Sequence, residues 1–323
     1  MSLLIQNIIN QAISIPIATA VAFSYNKKIY CGGYSNSQSI FDLASLTKIV
    51  GTTLAMCCAI SDGYIRLDEE PFVAWPGVRV RDLLAHTSGL PAHVKFYDNN
   101  TISNTNFIHN KYIIFDLLFR EKAYKQVGAR VYSDLNFLAL GLLLERRLRK
   151  DLYDIFVETW DKFNIKTKLN YYKSAGLITN YNSKFTMPTG VCLVREQRVT
   201  QQVHDLNCYF LGGIAGHAGL FGSLLDLENF GEFFLRAYTK PQTNYEALIQ
   251  YFARHNLGFD SPKRGGSVCA LSPESFGHFG FTGTSLWVDP HAKIFISLLT
   301  NRVDSSLHPA GIFWLRTRLH KLY

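Results

Sequence analysis

The apolar positions of this 323-residue chain fall into blocks with two different periods. Residues 4–14 carry them at helical spacing. Ala18–Phe23 reads as a strand, Tyr25-Asn26-Lys27-Lys28 as a turn, and Ile29–Cys31 as the strand that follows. After Ser45 the pattern changes. Ile49, Val50, Leu54, Ala55, Cys57 and Ile60 make the segment apolar nearly all round, which predicts a buried helix ending at Asp62-Gly63. Phe137 to Leu144 predicts a second apolar helix, closed by Arg146-Arg147-Leu148-Arg149-Lys150 where cations suit a helix C-terminus. Near the end, Thr284–Val288 and Ile294–Leu299 read as strands joined by the turn Asp289-Pro290-His291-Ala292-Lys293, and Ala310–Leu322 as a final amphipathic helix. Asn99–Asn110, rich in Asn, Thr and Ser, reads as an exposed loop.

Strand signals gather at both ends, and the middle is mostly helical or irregular. The economical architecture is α+β: an antiparallel sheet built from both termini and flanked by helices. The expected division is one α/β lobe of about 1–75 and 216–323 and a mostly helical lobe inserted at about 76–215. No internal repeat or low-complexity linker interrupts it.

Composition narrows the class. With 47% hydrophobic and 18% charged residues, the chain fills a core and is not a disordered one. The net charge of +8 is spread along the sequence, and its one basic cluster is explained by a solvated helix end, so no nucleic-acid partner is expected. The six cysteines have neither Cys-x-x-Cys spacing nor histidine partners, so no zinc site or disulfide framework is indicated. No apolar run reaches the roughly 18–20 residues of a membrane span. The first lysine is Lys27, so no basic leader opens the sequence. The expectation is a cytoplasmic chain, or an exported one if a leader precedes Met1. Oligomeric state is open.

Candidate chemistry begins at Ser45-Leu46-Thr47-Lys48, at the start of the apolar helix. Positions i and i+3 share a helix face, so the lysine nitrogen can approach the serine oxygen. The positive end of the helix dipole favours negative charge there, and burial is expected to lower the lysine pKa so that it accepts a proton. A serine cap beside a snorkelling lysine gives the same four letters. Tyr132-Ser133-Asp134 opens the second apolar helix. A phenol beside a lysine cation is expected to have a lowered pKa and to take a proton from serine. Asp134 either orients the lysine or simply caps the helix. In Phe276-Gly277-His278-Phe279-Gly280-Phe281-Thr282-Gly283, the glycines in a strand context mark a close approach to the backbone, or a bulge with no ligand.

Taken together, these motifs resemble the serine β-lactamase and penicillin-binding-protein superfamily, for which Ser-x-x-Lys is a mark. The resemblance is to its class C β-lactamase-related branch, which includes D-alanyl-D-alanine carboxypeptidases and esterases. Further matching segments are Asp82-Leu83-Leu84-Ala85-His86-Thr87-Ser88-Gly89-Leu90, Gly212 to Phe221 and His278-Phe279-Gly280, all in the family's order. The resemblance implies that Ser45 attacks a carbonyl and is acylated, with Lys48 lowering proton affinity around it and Tyr132 as general base. It implies an oxyanion hole from the backbone N–H groups of Ser45 and Phe281, beside Gly280. His278 stands in for the third-motif lysine, and no metal or cofactor is required. His217 is read as bordering the pocket, His86 as a structural buttress, and His204 and Asp205 as rim residues at most.

Two positions depart from the family pattern. Phe279 stands where threonine commonly helps to hold a substrate carboxylate, and Asp134 where asparagine is frequent. Both weaken the case for a dedicated β-lactamase or carboxypeptidase, whose substrates carry a free carboxylate, and favour an esterase or amidase acting on something less acidic. The expected class is a serine hydrolase, whether a broad esterase or a peptidoglycan-related amidase or carboxypeptidase. The alternatives are a β-lactamase and a non-hydrolytic penicillin-binding or sensor protein.

Overall fold

The computed structural model describes all residues except 26, 124, 175–184, 264–267, 269, 305–310 and 323. Asn26, Cys269 and Ala310, which belong to features read from the sequence, therefore lie outside the described residues. Helix α1 (Ser2–Ser14) leads into the hairpin β1 (Ala20–Tyr25) and β2 (Lys28–Gly33). After a short strand, β3 (Phe41–Asp42), the chain makes one tight turn at Ala44–Leu46. It is then wound as a π-helix over Lys48–Thr53 and continues as α2 (Leu54–Ser61). Helices α3 (Val80–Ala85), α4 (Phe107–Arg120), α5 (Asp134–Leu148) and α6 (Leu152–Lys162) follow, then the hairpin β4 (Gly190–Cys192) and β5 (Gln197–Val199) and the short α7 (Leu206–Phe210). The chain then returns through β6 (Phe221–Gly222), α8 (Leu224–Thr239), α9 (Asn244–His255), β7 (Phe276–Phe279), β8 (Ser285–Asp289), β9 (Ile294–Thr300) and α10 (Gly311–His320).

The main sheet is five-stranded, in the order β2-β1-β9-β8-β7, and every pairing is antiparallel. Both termini contribute, as the strand signals predict. The sheet is covered on both faces, so β9 is buried along its whole length. Its alternation sorts side chains between two cores. Ile294, Ile296 and Leu298 join Val21, Phe23 and residues of α1 and α10, whereas Phe295 and Leu299 join Ala20, Ala22 and residues of α8. The larger core runs on without a break into α2, α5 and α6. Contrary to the expectation that no apolar run is long enough, Ala44–Ser61 reaches 18 residues and is apolar enough by composition to cross a membrane, yet it is 83% buried inside this core.

One loop expectation is corrected. Asn106, within the polar stretch 99–110, accepts the His109 N–H at 3.1 Å and starts α4 at Phe107. A capping residue was hidden among turn formers, because asparagine serves both purposes.

The glycine-rich segment before β6 exists because α5 lies directly on it. A Cβ on Gly216 would sit 2.0 Å from the Phe137 carbonyl oxygen, and one on Gly141 would sit 3.0 Å from Gly216. Such backbone contact leaves no flexible side chain to yield. Gly216→Val is expected to destabilise the protein by about 1–3 kcal/mol, the usual range for overpacking. Urea unfolding checks this, and an unchanged midpoint means that α5 does not seat on this segment.

Candidate active site

Ser45 stands in a backbone that is clamped on both sides. Ala44, just before it, has φ +47°, a left-handed conformation that a non-glycine residue adopts only under constraint. Three contacts hold it there. The Asp42 carboxylate accepts the Ala44 N–H at 2.8 Å, and Thr282 and Thr284 donate to the carbonyls of Asp42 (2.7 Å) and Leu43 (3.1 Å). The segment between β7 and β8 is thereby fastened to the turn that carries the serine. Gly280 permits that approach, since a Cβ there would lie 2.0 Å from Thr284 Oγ1 and 2.7 Å from the Leu43 carbonyl oxygen.

The π-helical winding after Ser45 releases backbone groups that neighbouring side chains satisfy. Trp160 Nε1 donates to the Val50 carbonyl at 2.6 Å, and the Thr52 side chain ties the winding to the Gly216 carbonyl at 2.7 Å. Lys48 is completely buried. Its Nζ donates to Ser45 Oγ at 2.8 Å and to Asp134 Oδ1 at 2.8 Å, with the His217 carbonyl at 3.4 Å. The Tyr132 hydroxyl donates to the same serine oxygen at 3.1 Å. Ser45 Oγ thus accepts from an ammonium and from a phenol, an arrangement that stabilises negative charge on it. The Lys48 ammonium also lies 5.0 Å from the centre of the Tyr132 ring.

Tyr132 is held from behind. His86, in a left-handed conformation at the end of α3, accepts the Ser133 N–H at 3.1 Å, and its ring lies 4.6 Å from that of Tyr132. The buried His278 ring lies 5.7 Å away on another side, its Nδ1 2.6 Å from the Phe279 carbonyl oxygen. Burial, with Asp260 opposing it and Lys48 adding to it, pulls His278 down to about 4, so it is neutral at ordinary pH.

The charges differ from the two expectations set by composition and spacing. Burial alone would lower the Lys48 pKa, but the Asp134 carboxylate and the Tyr132 phenol oppose it, and the net result is a value above the ordinary range. Burial likewise raises the Tyr132 phenol above its usual value, and Lys48 pulls it back only in part. Asp134 itself would be raised by burial, yet Lys48 and His93 hold it well below the carboxylate range. The resting site is therefore an ammonium paired with a carboxylate, next to a protonated phenol.

A cavity of about 420 Å³ opens onto Ser45, within the size range of small-molecule sites. Asp134, His217 and Phe281 line it, together with Asp42, His93, Tyr97, His204 and Asp205. His278 and Gly280 do not line it. The first backs Tyr132, and the second donates its N–H to the Thr284 carbonyl at 2.8 Å. Phe279 is turned away, packed on Trp287 at 5.1 Å and beneath the Arg316 guanidinium at 4.3 Å. Its replacement of threonine therefore leaves the cavity wall unchanged. Neither the Ser45 nor the Phe281 N–H has an acceptor among the described residues, which leaves both available to an oxyanion.

Sequence reasoning missed His93 and Tyr97 as site residues and placed Asp205 no nearer than the rim. The loop that carries the first two is docked by Asn207 of α7. Its amide accepts the Phe96 N–H at 3.1 Å and donates to the Val94 carbonyl at 2.8 Å. The local pattern gives no sign of this long-range tie.

The Beta-lactamase family model matches residues 6–316, and the chain belongs to that family. Relatives named "Putative D-alanyl-D-alanine carboxypeptidase" occur in Salmonella enteritidis PT4 (26% identical, covering 84% of this chain and 71% of the relative) and Escherichia coli K12 (25%, covering 83% and 70%). Among solved structures, the fold is shared with the octameric penicillin-binding protein homologue from Pyrococcus abyssi (TM-score 0.72, 18% identical, covering 98% of this chain and 77% of that one). It is also shared with EstCE1, a hydrolase with promiscuous acyltransferase activity (TM-score 0.69, 17% identical, covering 100% and 98%).

Asp134 sets the charge of the site, and its removal has a definite sign. Its carboxylate raises the proton affinity of both Lys48 and Tyr132, so Asp134→Asn lowers both. The ionisation seen on the alkaline side of the kcat/KM profile is expected to move to lower pH in the variant. An unmoved alkaline limb would show that Asp134 does not control these groups.

Proposed function

We propose that the protein is a serine hydrolase that forms an acyl-enzyme at Ser45 and acts on an ester or amide. The observation that carries this reading is the double donation to Ser45 Oγ, from Lys48 at 2.8 Å and Tyr132 at 3.1 Å, at the wall of a substrate-sized cavity. In acylation the Ser45 oxygen bonds to the substrate carbonyl carbon while its proton passes to the Tyr132 oxygen. Tyr132 gives its own proton to the leaving group as the carbonyl–leaving-group bond breaks. Lys48 remains an ammonium and stabilises the serine anion as it forms. The carbonyl oxygen, now negative, is met by the N–H groups of Ser45 and Phe281. Water then repeats the sequence in reverse and releases the acid.

The cavity supports an uncharged or cationic substrate over a carboxylate. No lysine or arginine is among its described lining residues, whereas Asp134 and Asp205 are. A C-terminal carboxylate, as a carboxypeptidase substrate carries, meets like charge there. An esterase or amidase is therefore preferred to a carboxypeptidase or β-lactamase.

The test uses a fluorophosphonate probe, p-nitrophenyl acetate and a fluorescent penicillin on wild type and Ser45→Ala. Labelling and ester turnover are expected in wild type and lost in the variant. Penicillin labelling without ester turnover would instead indicate a penicillin-binding sensor, and equal reactivity of both proteins would remove Ser45 as nucleophile. Lys48→Ala and Tyr132→Phe are each expected to slow acylation by at least about 100-fold, as for loss of a proton-transfer group. Near-normal rates in both would eliminate the relay.

A further inference from the structure

The cavity wall carries carboxylate capacity that the proposed relay does not use. Asp205, the residue before α7, accepts the Cys208 N–H at 2.7 Å and faces His217 Nε2 at 2.9 Å, both through Oδ1. Its Oδ2 has no hydrogen-bond partner among the described residues, although Asp205 lines the cavity. Burial would raise its pKa, but His217 and the Cys208 N–H outweigh that and keep it below the carboxylate range. His217 lines the same cavity, and its buried Nδ1 is also unpartnered. In the tautomer that donates Nε2–H to Asp205, this nitrogen is a free acceptor. Ligand atoms of His93, Asp134 and Asp205 lie within 4.8 Å of one another. Asp134 in turn is separated from Ser45 Oγ only by the Lys48 ammonium. A group held by this cluster is therefore close to the carbonyl that Ser45 attacks.

We propose that the acyl half of the substrate carries a protonated amine next to the scissile carbonyl, seated against Asp205 Oδ2 and Asp134, so that aminoacyl esters or amides are preferred. The proposal rests on the serine-hydrolase reading above and names the substrate class of that same site. An ammonium brings three donors, and the wall offers unused acceptors at Asp205 and His217. Tyr97 adds an aromatic ring to the same cavity, and aromatic ring faces attract cations. A divalent metal suits the cluster less well, because the Lys48 ammonium already occupies Asp134 Oδ1 at 2.8 Å.

The test compares hydrolysis of D- and L-alanine p-nitroanilide with that of their N-acetyl forms. Wild type is expected to prefer the free amine of one enantiomer. In Asp205→Asn that preference ratio is expected to fall about 10- to 100-fold, the range for losing a hydrogen bond between charged partners. Asparagine keeps an oxygen for the Cys208 N–H, so the start of α7 is retained. Calorimetric binding of D- and L-alaninamide against their N-acetyl forms, on wild type alone, gives the same comparison without a variant and without turnover. Equal or better use of the N-acetyl compounds, while Ser45-dependent p-nitrophenyl acetate hydrolysis persists, would overturn the proposal and leave the hydrolase reading intact. Loss of ester turnover with selective alaninamide binding would overturn the hydrolase reading alone. Activity abolished by EDTA and restored by zinc would assign the cluster to a metal and overturn the amine proposal.

Discussion

The arrangement depends on one buried ion pair. Lys48 has no contact with solvent, and a bare ammonium in that position would carry a large desolvation penalty. Asp134, at the first position of α5, neutralises it at 2.8 Å. The pair ties the winding that follows Ser45 to the start of α5, two residues after Tyr132, so the same contact that makes the lysine tolerable also brings the Ser45 hydroxyl and the Tyr132 phenol together. It has an electrostatic consequence as well. A lysine paired with a carboxylate remains an ammonium and serves as a donor and a positive charge, and on the proposed mechanism proton movement falls to the phenol.

The rest of the fold fixes the positions of these groups. The sheet is closed by strands from both ends of the chain, and the segment between β7 and β8 is fastened by Thr282 and Thr284 to the backbone just before Ser45. The strained Ala44 is stable only because those contacts and Asp42 over-determine it. From the other side, Gly216 lets α5 lie on the segment that presents His217. Strand and helix layers thus meet at Ser45, where the Ser45 and Phe281 N–H groups have no acceptor among the described residues.

Much of this was legible in the sequence, and what was not has identifiable causes. Ser45 and Lys48 could be paired because helical spacing alone puts them on one face. The terminal strands were visible because their apolar runs are bounded by turn residues. Tyr132 became a candidate through its place at the head of an apolar helix. The sign of the charge effects was not legible: whether burial or Asp134 controls Lys48 depends on a distance across 86 positions of sequence. Phe279 bears on substrate choice when read as a motif position, yet its side chain packs on Trp287 and does not line the cavity. His93 and Tyr97 come from a loop whose docking rests on the buried amide of Asn207, and Asp205 is aimed by capping α7 and facing His217; no local periodicity encodes these ties.

The charge state of Lys48 tests this account most directly. The protein can be labelled with 13C and 15N at lysine, and the Lys48 signal assigned by its absence in Lys48→Arg. The side-chain shifts are then followed as pH rises. The account requires an ammonium that persists beyond the ordinary lysine range of about 10.4. A Lys48 signal that titrates well below that range would show that burial outweighs Asp134 and that the lysine, not the phenol, takes the serine proton.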